Sequence, residues 1–241
     1  MVRNTYGNLL KPASIGKMQL KNRICMAPMD YKYFAGNEEE SSISYRQVKV
    51  FEARAKGGCG LIFTCATQAE REMIMPYPRE MQFPMIDRDE RIKEFAEAAD
   101  VVHLYGAKIA CELTMGSGRY ADNVDEKYPP LAPSECQTQY HPEIRAREMT
   151  ISEIKHMIRT YAEAAGRLKT AGFDALLVMG GGGYLINQFL SPAWNQRTDE
   201  YGGSREKRMN FLIETIQEVK KVVGDDYPII VSLNMDDLLP K

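Results

Sequence analysis

The sequence predicts an α/β fold built on a parallel sheet, and three observations carry that reading. Apolar runs of strand length alternate with helical patterns along the chain. The runs lack the apolar–polar alternation of a half-solvated strand, so both of their faces are expected to be covered. The least core-like stretches, MAPM, TCATQ, ELTMGSGR, VMGGGGYL and SLNMDD, each fall at the end of one of these runs. Strand–helix–strand order with covered strands means helical crossovers between parallel neighbours. An open doubly wound sheet and a closed barrel both carry chemistry at the carboxyl ends of strands. Only a barrel uses nearly every strand in turn, which favours a TIM-type (β/α)8 barrel.

Asn22–Met29 (NRICMAPM) is the first strand and runs into a turn at Pro28. Ser44–Lys56 reads as a helix stopped by Gly57 and Gly58, and Gly60–Thr67 (GLIFTCAT) is the second strand. Arg91–Tyr105 is helical, with Ile92, Phe95, Ala96, Ala99 and Val102 on one face and Gly106 at its end. Lys108–Met115 is the third strand. Ile151–Thr170 carries the strongest helix signal: Thr150 caps it, Glu153 completes a capping box, and Gly172 closes it. Asp174–Met179 is the fourth strand. Arg205–Val223 is a helix entered from Gly202-Gly203-Ser204 and left at Gly224, and Pro228–Asn234 is the fifth strand. The sequence ends seven residues later, so the expectation is one domain over residues 1–241, a barrel interrupted after its fifth strand.

The chain has 241 residues, 44% of them hydrophobic, enough for a sizeable core. Its 31 basic and 33 acidic residues leave a net charge of −2 without a long run of one sign. That balance argues against nucleic acid or an anionic membrane as the main partner. Residues Met1 to Leu20 contain no apolar signal core, and no stretch reaches the length of a membrane span, so a cytoplasmic location is expected. Cys25, Cys59, Cys65, Cys111 and Cys136 form no CxxC pair and read as buried small hydrophobes. His103, His141 and His156 have no partner at metal-ligand spacing, and His156 is expected to face solvent, so no metal site follows.

Gly180–Gly183 offers the backbone freedom of a phosphate cradle, but Leu185 stands where a dinucleotide fingerprint needs glycine. Close approach to a flat ligand, or a plain turn, is the better reading. Tyr184 follows directly; it is either a packing tyrosine or a proton donor to a carbanion. Asn195–Ser204 (NQRTDEYGGS) is dense in short polar and charged groups and is expected to be a loop tied by its own hydrogen bonds.

Gly183-Tyr184-Leu185-Ile186-Asn187-Gln188-Phe189-Leu190-Ser191-Pro192, with Asn195, Arg197, Asp199 to Ser204 and Arg208, resembles the signature GYLxxQFLSPxxNxRxDEYGGSxExR of the old yellow enzyme family of NADH:flavin oxidoreductases. Ile15-Gly16, Asn22-Arg23-Ile24, Met26 to Met29, Gly60-Leu61-Ile62, Thr64 to Thr67 and Ala132-Pro133-Ser134 agree with it. Glu112 to Arg119 (ELTMGSGR) is similar to the QLTAGxGR form of the enoate, dienoyl-CoA and bile-acid reductase branch.

The resemblance implies an enzyme that binds FMN at the barrel mouth, takes hydride from NADH or NADPH, and passes it to the β-carbon of an activated alkene in a small-molecule substrate. A tyrosine then protonates the α-carbon, and Tyr184 matches it. Ala27, Pro28 and Met29 match the turn along the flavin ring, and Ala66 the small residue that lets the ring approach. Four departures stand out. Glu112 replaces a glutamine at the flavin's pyrimidine edge, exchanging a donor-plus-acceptor for an acceptor when ionised. Met179 and Gly182 replace the pair that anchors the substrate carbonyl, and Ser232 replaces an arginine that balances the reduced flavin. Strands six to eight, after which such barrels build their phosphate site, are not in the sequence. The alternative is therefore a degenerate or truncated, non-catalytic flavin- or partner-binding paralogue. Ile24–Ala27 and Ile229–Leu233 are expected to be open apolar edges, which implies self-association or a missing C-terminal segment.

Overall fold

The structure is a computed structural model and describes residues 6–29, 43–70, 83–121 and 127–236. A hairpin of β1 (Ala13–Ile15) and β2 (Met18–Leu20) leads into β3 (Cys25–Met26), α1 (Tyr45–Lys56), β4 (Leu61–Phe63), β5 (Thr67–Gln68), α2 (Ile92–His103) and β6 (Lys108–Thr114). Three short strands follow, β7 (Leu131–Ala132), β8 (Cys136–Gln137) and β9 (Arg145–Glu148). The chain continues through α3 (Ile151–Thr170), β10 (Ala175–Gly180), α4 (Leu185–Leu190), α5 (Arg205–Val223) and β11 (Ile229–Leu233). The main sheet runs β3-β4-β6-β10-β11, every pairing parallel, with β5 also joined to β6. The architecture is α/β with a parallel sheet and helical crossovers.

Alternate strand residues point to opposite faces, and here both faces are covered. Ile62, Ile109, Cys111, Leu113, Leu176 and Val178 face the helices, where they meet Phe51, Phe95, Tyr161, Leu168 and Phe211. Leu61, Ala110 and Ala175 face the other way and pack on Met18 and Leu20. The β1–β2 hairpin thus stoppers the sheet at its amino-terminal end. The sequence reading did not anticipate this hairpin, the β7–β9–β8 sheet or α4.

Boundaries of the longer elements follow their caps. Ser44 Oγ accepts from Gln47 N–H to open α1. At α3, Glu153 N–H donates to Thr150 Oγ1 at 3.2 Å and Thr150 N–H to Glu153 Oε2 at 2.8 Å, completing the capping box. The second expected strand is broken into β4 and β5. The Thr64 and Thr67 hydroxyls donate to the carbonyl of Cys65 at 3.0 and 3.3 Å, turning the chain between them. The first strand shortens to Cys25–Met26.

Cys65 and Cys111 are buried, and burial pushes the Cys111 thiol up to about 12, which leaves it unreactive. Cys25 is exposed, against expectation, because it lies on β3 at one end of the strand order. His156 is half-buried rather than solvent-facing, its Nδ1 lying 2.9 Å from Arg159 Nη2. No helix among the described residues is long and apolar enough to cross a membrane.

Asp174, just before β10, ties two crossovers together. It accepts from His103 Nε2 at 2.6 Å, Lys108 Nζ at 2.7 Å and Ile109 N–H at 2.9 Å. Burial alone would raise its pKa, but the hydrogen bonds outweigh it and hold the carboxyl below its ordinary range. A depressed folded pKa stabilises the fold above the unfolded value, about 3.9, and that contribution is lost as pH falls through the folded one. Asp174→Asn should therefore cost on the order of 1–2 kcal/mol at pH 7. The two proteins should begin to converge at about pH 4 and meet only below the depressed folded value, as urea unfolding at several pH values would read.

Candidate active site

The carboxyl ends of the strands surround a cavity of about 340 Å³ lined by Pro28, Ala66, Phe83, Glu112, Leu177, Met179, Tyr184 and Ser232. Four of the sequence-chosen residues, Pro28, Ala66, Glu112 and Tyr184, come together there from four separate strand ends. Ala27 and Met29 flank Pro28 on the same turn, have exposed side chains, and do not line the cavity. Phe83 and Leu177 were missed. Leu177 lies two residues before Met179 and shares its face, a signal present in the strand period; nothing around Phe83 marks it.

Register explains the placement. Glu112 is the Cα partner of Leu177, and Met179 that of Ser232. Ala66 sits at the break between β4 and β5, where Thr64 Oγ1 also accepts from Glu112 N–H at 3.3 Å. The Ser232 hydroxyl donates to Val178 O at 3.4 Å. Among the described residues, the lining carries no ionisable side chain apart from Glu112 and Tyr184, and no cation.

Tyr184 stands between the glycine turn and α4. Gly182 and Gly183 have φ of 67° and 80°, a region L side chains rarely enter. Two successive N–H groups in such a turn could cradle an anion. Here they donate instead to Asn234 Oδ1 at 2.9 Å and Asn187 Oδ1 at 2.8 Å. The glycine run is a tied turn and not a phosphate cradle.

The NQRTDEYGGS segment is a latch. Asn195 Nδ2 donates to the carbonyls of Phe189 and Tyr201, both at 2.7 Å. The Arg197 guanidinium, 3% exposed, donates to Pro133 O at 2.9 Å, Met149 O at 2.7 Å and Asp199 Oδ2 at 2.6 Å. Pro133 and Met149 follow β7 and β9, so one side chain fastens the small sheet beside the mouth. Gly202 has no room for a Cβ, which would fall 2.4 Å from Arg197 Cβ. Beside the latch, the Arg119 guanidinium stacks 3.9 Å over the Trp194 ring, and the Arg119 backbone N–H donates to Gln188 Oε1 at 3.2 Å.

A wider hollow of about 860 Å³ opens at the amino-terminal end of the strands. Its cations are engaged: Lys17 with Asp226 at 2.6 Å, Lys108 with Asp174 at 2.7 Å, and Lys169 with Val223 O at 2.8 Å. It lies away from the strand carboxyl ends and reads as a salt-bridged rim.

Comparison with known proteins agrees with this geometry. The profile of the family described as NADH:flavin oxidoreductase / NADH oxidase matches residues 8–241. The NADH oxidase of Thermoanaerobacter brockii is 36% identical over 237 residues, covering 97% of this chain and 35% of that protein. The cinnamate reductase of Clostridium sporogenes is 36% identical over 229 residues, covering 95% of this chain and 34% of that protein. The chain thus spans about a third of the length of these two relatives. The crystal structure of old yellow enzyme from Pichia sp. AKU4542 superimposes with a TM-score of 0.83 at 31% identity, over 94% of this chain and 59% of that one. The chain belongs to the NADH:flavin oxidoreductase / NADH oxidase family. FMN is the cofactor of that family, with NADH or NADPH as hydride donor.

The latch has its own test. Arg197→Lys keeps the charge but loses the planar fork, leaving the buried Pro133 or Met149 carbonyl without a donor. It should lower stability by about 1–3 kcal/mol. Limited proteolysis should then cut the segment around β7–β9 sooner than in the parent protein.

Proposed function

We propose that this family member is an FMN-dependent oxidoreductase that adds hydride from NADH or NADPH, and a proton, across an activated alkene conjugated to a carbonyl or carboxyl group. The observation that carries the reading is the convergence of Tyr184, Ala66, Pro28 and Glu112 on one cavity at the strand ends. A relative that acts on cinnamate, named as its reductase, supports the substrate class.

The cavity suits the ring of a flavin. Its volume falls at the low end of ligand clefts, about 300–1,000 Å³, and Pro28, Ala66, Phe83, Leu177 and Met179 make its walls largely apolar. Ala66 brings no bulk beyond Cβ. When bound, FMN supplies the two-electron relay between nicotinamide and alkene. The chain's own residues do the rest. Ala66 and Pro28 would flank the ring, and Glu112 would face a polar edge of it. Tyr184 would hold its phenolic proton beside the alkene α-carbon, give it to that carbon as the β-carbon takes up hydride, and recover a proton from solvent. The apolar walls would exclude water from the reacting carbons.

Met179, Gly182 and Ser232 offer no side-chain donor to a substrate carbonyl: the first two have none, and the Ser232 hydroxyl points to Val178 O. Loss of one donor aimed at developing charge costs about 2.7–4 kcal/mol. This favours, as a second reading, a relative that binds flavin without turning over alkenes.

Stopped-flow spectroscopy separates the readings. Tyr184→Phe should slow alkene-dependent flavin reoxidation by roughly 10²-fold or more and leave flavin reduction by NADH nearly unchanged. Equal losses in both halves would make the ring structural. Flavin reduction without any alkene-dependent reoxidation in the parent protein would favour the non-catalytic reading. A colourless protein that FMN cannot reconstitute would remove both. A further variant probes the cofactor edge. Glu112→Gln restores a donor and an acceptor together and should tighten FMN by up to about tenfold, read by quenching of FMN fluorescence.

A further inference from the structure

We infer that Asn234 is a positioning residue for Tyr184: its side-chain amide, paired with that of Asn187, fixes the glycine turn that presents the tyrosine to the cavity. Its catalytic consequence rests on the role proposed for Tyr184; the clamp itself does not. Asn234 follows β11, Asn187 lies within α4, and the turn follows β10, so three segments meet at one point.

The hydrogen bonds close a small circuit. Gly182 N–H donates to Asn234 Oδ1 at 2.9 Å, Gly183 N–H to Asn187 Oδ1 at 2.8 Å, and Asn234 Nδ2 to Asn187 Oδ1 at 2.9 Å. On the far side of the turn, the Gly183 carbonyl accepts from Gln188 Nε2 at 2.7 Å. Each amide has only one orientation that serves this circuit, since both glycine N–H groups need an oxygen and the two oxygens cannot face each other unbridged. Space around the turn is equally constrained. A Cβ on Gly181 would lie 2.9 Å from Asn234 Oδ1, and one on Gly182 would lie 3.2 Å from the Tyr184 ring.

Asn187 alone could hold Gly183, because it belongs to the helix that starts just after Tyr184. It could not hold Gly182, nor tie the turn to a neighbouring strand. Asn234 does both. Without it, Gly181 and Gly182 regain the freedom of glycine, and the tyrosine that follows loses its fixed entry into α4. The Asn234 side chain is not a cavity wall, so it acts through the turn and does not touch the reacting carbons.

The chemistry of the circuit supplies a sharp test. Asn234→Ala removes both bonds. Asn234→Asp keeps the acceptor for Gly182 but, when ionised, sets a carboxylate against Asn187 Oδ1; once protonated it can donate again. The experiment uses the FMN-reconstituted full chain labelled with 15N-glycine and carrying 3-fluorotyrosine at position 184. In Asn234→Ala, exchange of the Gly182 and Gly183 amides should quicken by up to about tenfold, and the 184 fluorine signal should shift or broaden. In Asn234→Asp the same changes should appear at pH 7 and reverse toward pH 4, near the ordinary aspartate range of about 3.9. Flavin reoxidation by alkene should slow while reduction by NADH does not. Unchanged glycine amides or an unmoved 184 signal in Asn234→Ala would overturn the inference, as would an Asn234→Asp protein insensitive to pH. If Tyr184→Phe retains full alkene turnover while the Asn234 variants still release the turn, the catalytic reading fails and the clamp stands.

Discussion

Covering a parallel sheet on both faces leaves no place along its strands for a polar side chain without a partner, and the rest of the molecule follows from that. In β6, Ile109, Cys111 and Leu113 lie under the helices while Ala110 meets the hairpin stopper. On that second face Lys108, at the amino-terminal rim, is paired with Asp174, and the face turns polar again only toward the carboxyl end, at Glu112. The same holds for β11, where Ile230 is followed on that face by Ser232. An uncompensated buried polar group costs a few kcal/mol, so the amino-terminal half of each strand is closed to chemistry. The cavity forms where the strands end because that is where burial relaxes.

The constraint extends into the loops that return from β10 to α5. They cross the mouth with several carbonyls out of reach of water, and each such carbonyl needs a donor. Asn195, Arg197 and Gln188 provide them, binding Phe189, Tyr201, Pro133, Met149, Ser117 and Gly183. The polar density of this region therefore belongs mostly to holding. Tyr184 sits among residues whose own side chains are immobilised, and such rigidity is what the proton-donor role proposed for it would require of its surroundings.

Much of this was legible in the sequence, for identifiable reasons. The helices at 151–170 and 205–223 begin and end where their caps place them, since Thr150, Glu153 and Ser204 satisfy otherwise orphaned N–H groups. The loop character of NQRTDEYGGS was legible from its short polar side chains. Its reach to Pro133 and Met149 was not, because those partners lie 64 and 48 residues away. The β1–β2 hairpin escaped because three-residue strands show too little periodicity to read. The break at Thr64 to Ala66 escaped because threonine hydroxyls that turn a backbone look, in sequence, like β-formers. Tyr184 was readable as a candidate proton donor from its place after the glycine turn, whereas Pro28, Ala66 and Glu112 were marked as cofactor-facing only through resemblance. Ala66 and Pro28 have no intrinsic chemistry that would single them out.

The cavity's charge sets a condition on any reaction performed there. Among the described residues its walls bring a carboxyl, Glu112, and no cation, and the Ser232 hydroxyl is directed to a backbone carbonyl. Negative charge developing on a substrate would then find Tyr184 as the one phenol among the described lining residues. On the proposed reading, that charge is relieved by moving the tyrosine's proton to carbon more than by static hydrogen bonds to oxygen. A site of this kind places its demand on timing and alignment, because a proton must be within reach at the moment hydride arrives. That is why the turn preceding Tyr184 matters more here than in a cavity rich in donors, and why its two glycine N–H groups are tied down by asparagines from separate parts of the chain.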